Sequence, residues 1–196
     1  MEKRLVLLDF DGTITRKDTL FEFIRFYHGD RRYYGGIMLL SPVLMALALR
    51  LISNQRAKER VLRFFFSGTP LKEFNTKCTY FATNIIPRLV RASAGALISR
   101  ELNEKSVVVV VSASPENWVK PWCDGLNIHS LATRLEIVDD KITGRIYGSN
   151  CRGEEKVRRI RAVYELESFQ RIVAYGDSRD DREMLALADE PHFRTL

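Results

Sequence analysis

Three short strand-like runs, wholly apolar at 5–8 and 107–111 and apolar after Arg171 at 171–174, each lead toward a cluster of acids, hydroxyls and glycine. An apolar run without alternation, closed by turn residues, marks a strand covered on both faces, as in a parallel sheet. The second run is five consecutive valines, whose branched Cβ favours the extended backbone. Between the first two runs the period changes. Leu20, Phe23, Ile24 and Tyr27 recur at helical spacing behind a cap at Asp18 or Thr19, which predicts a helix over 18–28. Further helices are predicted over 37–51, 55–66 (closed by Ser67-Gly68), 71–83 and 86–103, with no strand signal among them. Beyond the valines, weaker strand signals at 135–138 and 142–146 flank Asp139-Asp140-Lys141 and predict a hairpin. A helix over 154–166, a strand over 171–174 and a helix over 180–187 complete the chain. This order describes an α/β fold, a doubly wound parallel sheet carrying an inserted α-helical bundle as a cap. The sheet domain takes 1–14 and 106–196, and the helical cap 15–105.

One segment departs from the amphipathic pattern. Residues 33–49 carry no charge, lie between Arg32 and Arg50, and approach the roughly 17 apolar residues needed to span a bilayer. Gly35, Gly36, Ser41 and Pro42 interrupt the run. Ser41-Pro42 reads as an N-cap followed by proline at the first helical position, which predicts two shorter helices. A helix buried within the cap is the leading expectation. Contact with a membrane surface through 33–52 is the alternative.

The 196 residues, 45% hydrophobic, suffice for one core with a smaller insertion. A net charge of +6 favours acidic partners, among them phosphorylated metabolites, nucleic acid and anionic lipid, without choosing between them. Cys78, Cys123 and Cys151 are odd in number and lack a C-x-x-C pair, so neither a disulfide framework nor a zinc site is expected. A reducing cytoplasmic setting follows. The basic start Met1-Glu2-Lys3-Arg4 precedes an apolar run too short for a signal peptide.

Candidate chemistry collects where the predicted strands end. Asp9 and Asp11 follow the first, Ser112-Ala113-Ser114 the second, and Gly176-Asp177-Ser178-Arg179-Asp180-Asp181 the third, while Lys156 opens the helix that feeds the third strand. Parallel strands place their carboxyl ends on one edge, so these residues should converge there. Paired carboxylates in a dehydrated cleft repel unless a cation relieves them. Carboxylates, a hydroxyl and an ammonium together suit Mg²⁺ and a phosphoryl group. Blander readings exist for each: a solvated Asp-Phe-Asp-Gly turn, a solvated Lys156 on a charged helix, and helix-start acids at Asp180 and Asp181.

These motifs, Asp9-Phe10-Asp11-Gly12-Thr13, Ser112 after the valines, Gly153-Glu154-Glu155-Lys156 and Gly176-Asp177-Ser178-Arg179-Asp180-Asp181, resemble in type and order those of haloacid dehalogenase superfamily phosphatases, in the phosphoserine-phosphatase-like branch. The resemblance implies a Rossmann-like core and a cap inserted after the first motif. It implies Asp9 as the nucleophile forming an aspartyl-phosphate and Asp11 as acid and then base. Ser112 would bind the phosphoryl oxygens, with Gly12 and Ala113 beside them. Lys156 would neutralise charge, and Asp9, Asp177, Asp181 and the Asp11 carbonyl would hold Mg²⁺. Asp18 stands where phosphoserine phosphatases carry a glutamate nine places after the nucleophile. Arg60-Val61 resembles their substrate-binding arginine-valine pair, which implies substrate contacts from Asp18 and Arg60. A small phosphorylated metabolite is the leading substrate class. A membrane-surface phosphatase of phospholipid or lysophospholipid, and a non-catalytic basic protein holding nucleic acid through Arg158, Arg159 and Arg161, are the other readings.

Overall fold

A computed structural model describes residues 3–196; Met1 and Glu2, half of the basic N-terminal stretch, lie outside the described residues. Strand β1 (Arg4–Leu8) is the centre of a five-stranded sheet. On one side lie β2 (Val107–Pro115) and β3 (His129–Thr133), on the other β6 (Arg171–Gly176) and β7 (Glu190–Phe193). All pairings are parallel, with Leu8 opposite both Val110 and Tyr175. Side chains of β1 divide between two cores, Val6 and Leu8 on one face and Leu5 and Leu7 on the other. That explains the run without alternation, because both faces are covered.

The two outermost strands have no counterpart in the sequence expectation. β3 reads His-Ser-Leu-Ala-Thr and β7 reads Glu-Pro-His-Phe, and neither has an apolar run. An edge strand is half covered and tolerates proline, so it carries little of the signal that marks a central one.

The cap comprises α1 (Thr19–Ala48), α2 (Asn54–Phe66), α3 (Leu71–Asn84) and the single turn α4 (Ile86–Leu89). Strands β4 (Leu135–Val138) and β5 (Lys141–Ile146) form the expected antiparallel hairpin. The hairpin packs on α2: Gly144, at φ +80, would drive a Cβ to 2.3 Å from the Arg63 backbone, so only glycine fits there. Helix α5 (Ala92–Asn103) packs against β2 and leads the chain back into the sheet. The helix expected over 86–103 is broken. Arg91 N–H donates to Ile14 O and Arg16 N–H to Leu89 O, both at 2.9 Å, zipping the outgoing and returning connections together. A continuous aromatic cluster joins cap to core, with Phe23 stacked on Trp118 at 4.6 Å and edge-on to Phe74 and Phe81. Trp118 belongs to α6 (Glu116–Gly125).

Two expectations about 33–49 are corrected. The helix passes through Ser41-Pro42 without a break, and its non-helical residue is Gly29 at φ 75°, ψ 167°. Proline removes the N–H that would bond the carbonyl four residues back. Here that carbonyl, Met38 O, accepts from Ser41 Oγ at 2.8 Å, so Ser41 is a local substitute donor and not an N-cap. Nor is the segment buried: only Gly36 and Leu40 are, while Met38 is 72% and Leu39 67% exposed. Among the described residues no helix is long and apolar enough to cross a membrane.

Near the C-terminus, α7 (Glu154–Val163) stops short of Leu166, and the helix expected over 180–187 is a 3-10 turn over Arg179–Asp181 followed by α8 (Arg182–Leu185).

Candidate active site

The parallel register carries two acids to adjacent strand ends. Asp9 follows β1 and donates its backbone N–H to Tyr175 O at 3.0 Å, and Asp177 follows β6 one residue beyond Gly176. The chain turns sharply at Gly12, φ +90, where a Cβ would lie 2.4 Å from Asp177 Oδ2. Gly12 is therefore demanded twice, by its backbone and by the carboxylate beside it. At Gly176 a Cβ would meet the Asp181 side chain at 2.5 Å, so the second glycine lets that acid close in.

Lys156 binds the cluster together. It lies in the first turn of α7, and its Nζ donates to Asp9 Oδ1 at 2.5 Å and to Asp181 Oδ1 at 2.7 Å. At 1% exposure it is no solvated helix residue. Burial alone would lower its pKa, but Asp9 and Asp181 reverse the sign and hold it raised and charged. Burial is likewise the largest influence on Asp9 and pushes it up to about 7 against the pull of Lys156. At Asp181 the push of burial is outweighed by Lys156 and by Ser178, so it lies below its usual value. Its Oδ2 accepts from Ser178 N and Ser178 Oγ at 2.9 and 2.8 Å. Asp177 is raised by burial and by Asp181.

Asp9, Asp177 and Asp181 each bring an oxygen within 4.8 Å of the others, and Asp177 Oδ1 is buried with no hydrogen-bond partner. Three carboxylates stand around a single ammonium, and one of their oxygens has no partner among the described residues. Such an all-oxygen set fits a hard divalent cation such as Mg²⁺.

Asp11 is held apart from these three. Its Oδ1 accepts from Thr19 N at 2.7 Å and Thr19 Oγ1 at 2.6 Å, and its Oδ2 from Ser114 Oγ at 2.5 Å. Trp118 Nε1 donates to Thr19 Oγ1 at 3.1 Å, so the aromatic cluster fixes the residue that fixes Asp11. Ser112 is wholly buried, and its Oγ accepts from Ser114 N at 2.9 Å.

A cavity of roughly 230 Å³ joins Asp9, Asp11, Lys156, Asp177 and Asp181 to Ala113 and Ser114 on the core side and to Asp18, Asn54 and Lys58 on the cap side. Asp18 caps α1 and is pushed up to about 6 by withdrawal from water and by Asp11, with Lys58 pulling against them. Arg60, expected near the substrate, is exposed and does not line this cavity. Two residues along a helix is over half a turn, and the side chain that reaches inward is Lys58, whose Nζ donates to Ala113 O at 3.0 Å. Asp180, expected as a helix-start acid, pairs with Arg152 at 2.5 Å and lines the cavity. Sequence reasoning named Ser114 in the strand-end cluster and Thr19 as a helix cap without giving either a part in the site, and missed Asn54, Lys58 and Arg152. Ser114 was findable, standing two residues from Ser112 on the same strand. Arg158 and Arg159, the basic face considered for nucleic acid, both pair with Glu155.

The parallel sheet thus gathers Asp9, Asp177, Asp181 and Lys156 at its carboxyl edge, beside helices inserted after its first strand. The chain belongs to the haloacid dehalogenase-like hydrolases, whose sequence pattern it matches over residues 6–186. It is 36% identical over 195 residues to protein CicA of Caulobacter vibrioides, covering 98% of this chain and 86% of CicA. A Bordetella pertussis protein of unknown function superimposes with a TM-score of 0.81 at 22% identity, over 96% of this chain and 88% of that one. A substrate-bound phosphoserine phosphatase superimposes with a TM-score of 0.69 at 20% identity, over 96% and 84%. These two likenesses are of fold.

Proposed function

We propose that this protein is a Mg²⁺-dependent phosphomonoester hydrolase that acts on a small phosphorylated compound through an aspartyl-phosphate at Asp9. The observation that carries this reading is the Lys156 ammonium bridging Asp9 and Asp181 beside the unpartnered Asp177 Oδ1. Asp9, Asp177, Asp181 and the Asp11 backbone carbonyl would hold the cation. When bound, it supplies positive charge that lets a carboxylate approach a phosphate dianion.

The residues divide the work. Lys156 orients Asp9, favours its ionised form against the effect of burial, and neutralises charge on the phosphoryl oxygens. An Asp9 carboxylate oxygen attacks phosphorus, the bond from phosphorus to the ester oxygen breaks, and the leaving oxygen takes the Asp11 proton. Asp11, now ionised, removes a proton from water. The resulting hydroxide attacks phosphorus and breaks the bond to Asp9, releasing inorganic phosphate and restoring both acids. Thr19 and Ser114 hold the Asp11 carboxylate for both proton transfers. Ser112, with its hydroxyl hydrogen unspent, Gly12 and Ala113 form the phosphoryl cradle. Asp18 and Lys58 take the rest of the substrate from the cap side, and closure of the cap excludes water that would waste the intermediate.

The test is a panel of phosphorylated metabolites with and without metal. Hydrolysis that excess chelator abolishes and Mg²⁺ restores is the expected result. Full activity in chelator contradicts the carboxylate cluster as a cation site.

A further inference from the structure

The distal half of α1 has an apolar face that the fold leaves uncovered. Tyr34, Met38, Leu39 and Met45 on the helix, with Leu49 and Leu51 just past its end, are each more than half exposed. From 33 to 49 no charged residue interrupts them. Beyond Gly29 the segment extends roughly 28 Å at the helical rise of 1.5 Å per residue. Apolar surface contiguous on this scale marks an interaction site in a folded protein.

The charges around the face say what covers it. Arg31 and Arg32 stand at one end and Arg50 at the other, while the nearby acid, Asp30, is paired with Arg25. A second copy would bring like charges together: antiparallel helices oppose Arg31-Arg32 to Arg50, and parallel ones oppose each cluster to itself. Anionic lipid head groups complement both ends at once, and an apolar face bracketed by arginines is what an interfacial helix presents. The C-terminal end of the helix also borders the cleft. A groove lined by Leu47, Ala48, Arg50, Ile52 and Arg179 shares Asn54, Arg152 and Asp180 with the catalytic cavity. A surface that receives that end of α1 is therefore next to the cavity.

We propose that the distal half of α1 docks on an anionic lipid surface and holds the mouth of the active-site cavity against the head groups. The docking stands independently of the hydrolytic reading. What it adds to that reading is a substrate class, a phosphomonoester presented at a membrane surface.

Vesicle flotation of the full chain tests the proposal, with phosphatidylcholine alone or mixed with phosphatidylglycerol, at low and high salt. The chain is expected to float with the anionic vesicles and not the neutral ones, and more weakly in high salt. Met38→Glu/Met45→Glu is expected to lower the floated fraction at least tenfold while leaving hydrolysis of soluble p-nitrophenyl phosphate unchanged, since neither residue touches the cavity. Absence of flotation with anionic vesicles, or flotation that the double substitution does not alter, overturns the proposal. So does a dimer, seen by light scattering, that the same substitutions dissociate in a chain that binds no vesicle. A chain that floats as expected but hydrolyses no phosphomonoester supports docking and refutes the catalytic reading alone.

Discussion

The carboxyl edge of the sheet and the distal half of α1 place their groups by opposite means. At the edge nearly every polar atom is spoken for: Lys156 by two acids, Asp11 by Thr19 and Ser114, and Thr19 in turn by Trp118. The helix packs on the cap through Gly36, Leu40, Val43 and Leu44, while on its outer face large apolar side chains point to solvent. Burying charge demands that partners be present and aligned, whereas exposed apolar surface demands only that something else cover it. On the readings proposed above, the first region lacks only a cation and the second only a partner surface.

Removing the cation that the edge supplies itself is the severest way to break this contrast. Lys156→Met leaves Asp9, Asp177 and Asp181 without compensation and is expected to cost about 3–5 kcal/mol of stability at neutral pH, read by urea denaturation. The pH dependence has a definite sign. An acid whose folded pKa lies above its unfolded value, as at Asp9, binds more protons folded than unfolded, so stability falls as pH rises between the two. The Lys156→Met protein should therefore recover stability between pH 7 and pH 5. A variant as stable as the parent at pH 7.5 contradicts the role given to Lys156.

A smaller effect separates the two cap positions. Lys58→Met removes a charge-assisted hydrogen bond at the cavity wall and is expected to raise KM by about ten- to a hundred-fold with a lesser change in kcat. Arg60→Ala should leave both constants unchanged, because that side chain lies outside the cavity. Equal effects at the two positions refute the placement of the cap helix over the site.

How legible each region was follows from the same contrast. The central strands announce themselves through unbroken apolar runs, and the motif acids stand directly at their ends, so Asp9, Asp11 and Asp177 were readable at once. Lys156 was readable only through the company it keeps in the chain, since a basic residue amid Glu154, Glu155 and Arg158 has no buried signature of its own. The edge strands β3 and β7 were hidden by their polar composition. Cap contacts were hidden for another reason: helical phase decides whether Lys58 or Arg60 faces inward, and an error of two residues reverses the answer. Pro42 misled because its local cost is met by Ser41, a compensation that the pattern of apolar positions does not show.

The covalent state of Asp9 during turnover tests the central claim most directly. A reaction with a hydrolysed phosphomonoester and Mg²⁺, quenched in acid and analysed by peptide mass spectrometry, is expected to show one phosphoryl group on the peptide carrying Asp9 and none in Asp9→Asn, whose turnover should fall by a factor on the order of 10⁴ or more. A phosphoryl group on any other residue, or an Asp9→Asn protein that retains full turnover, contradicts the account.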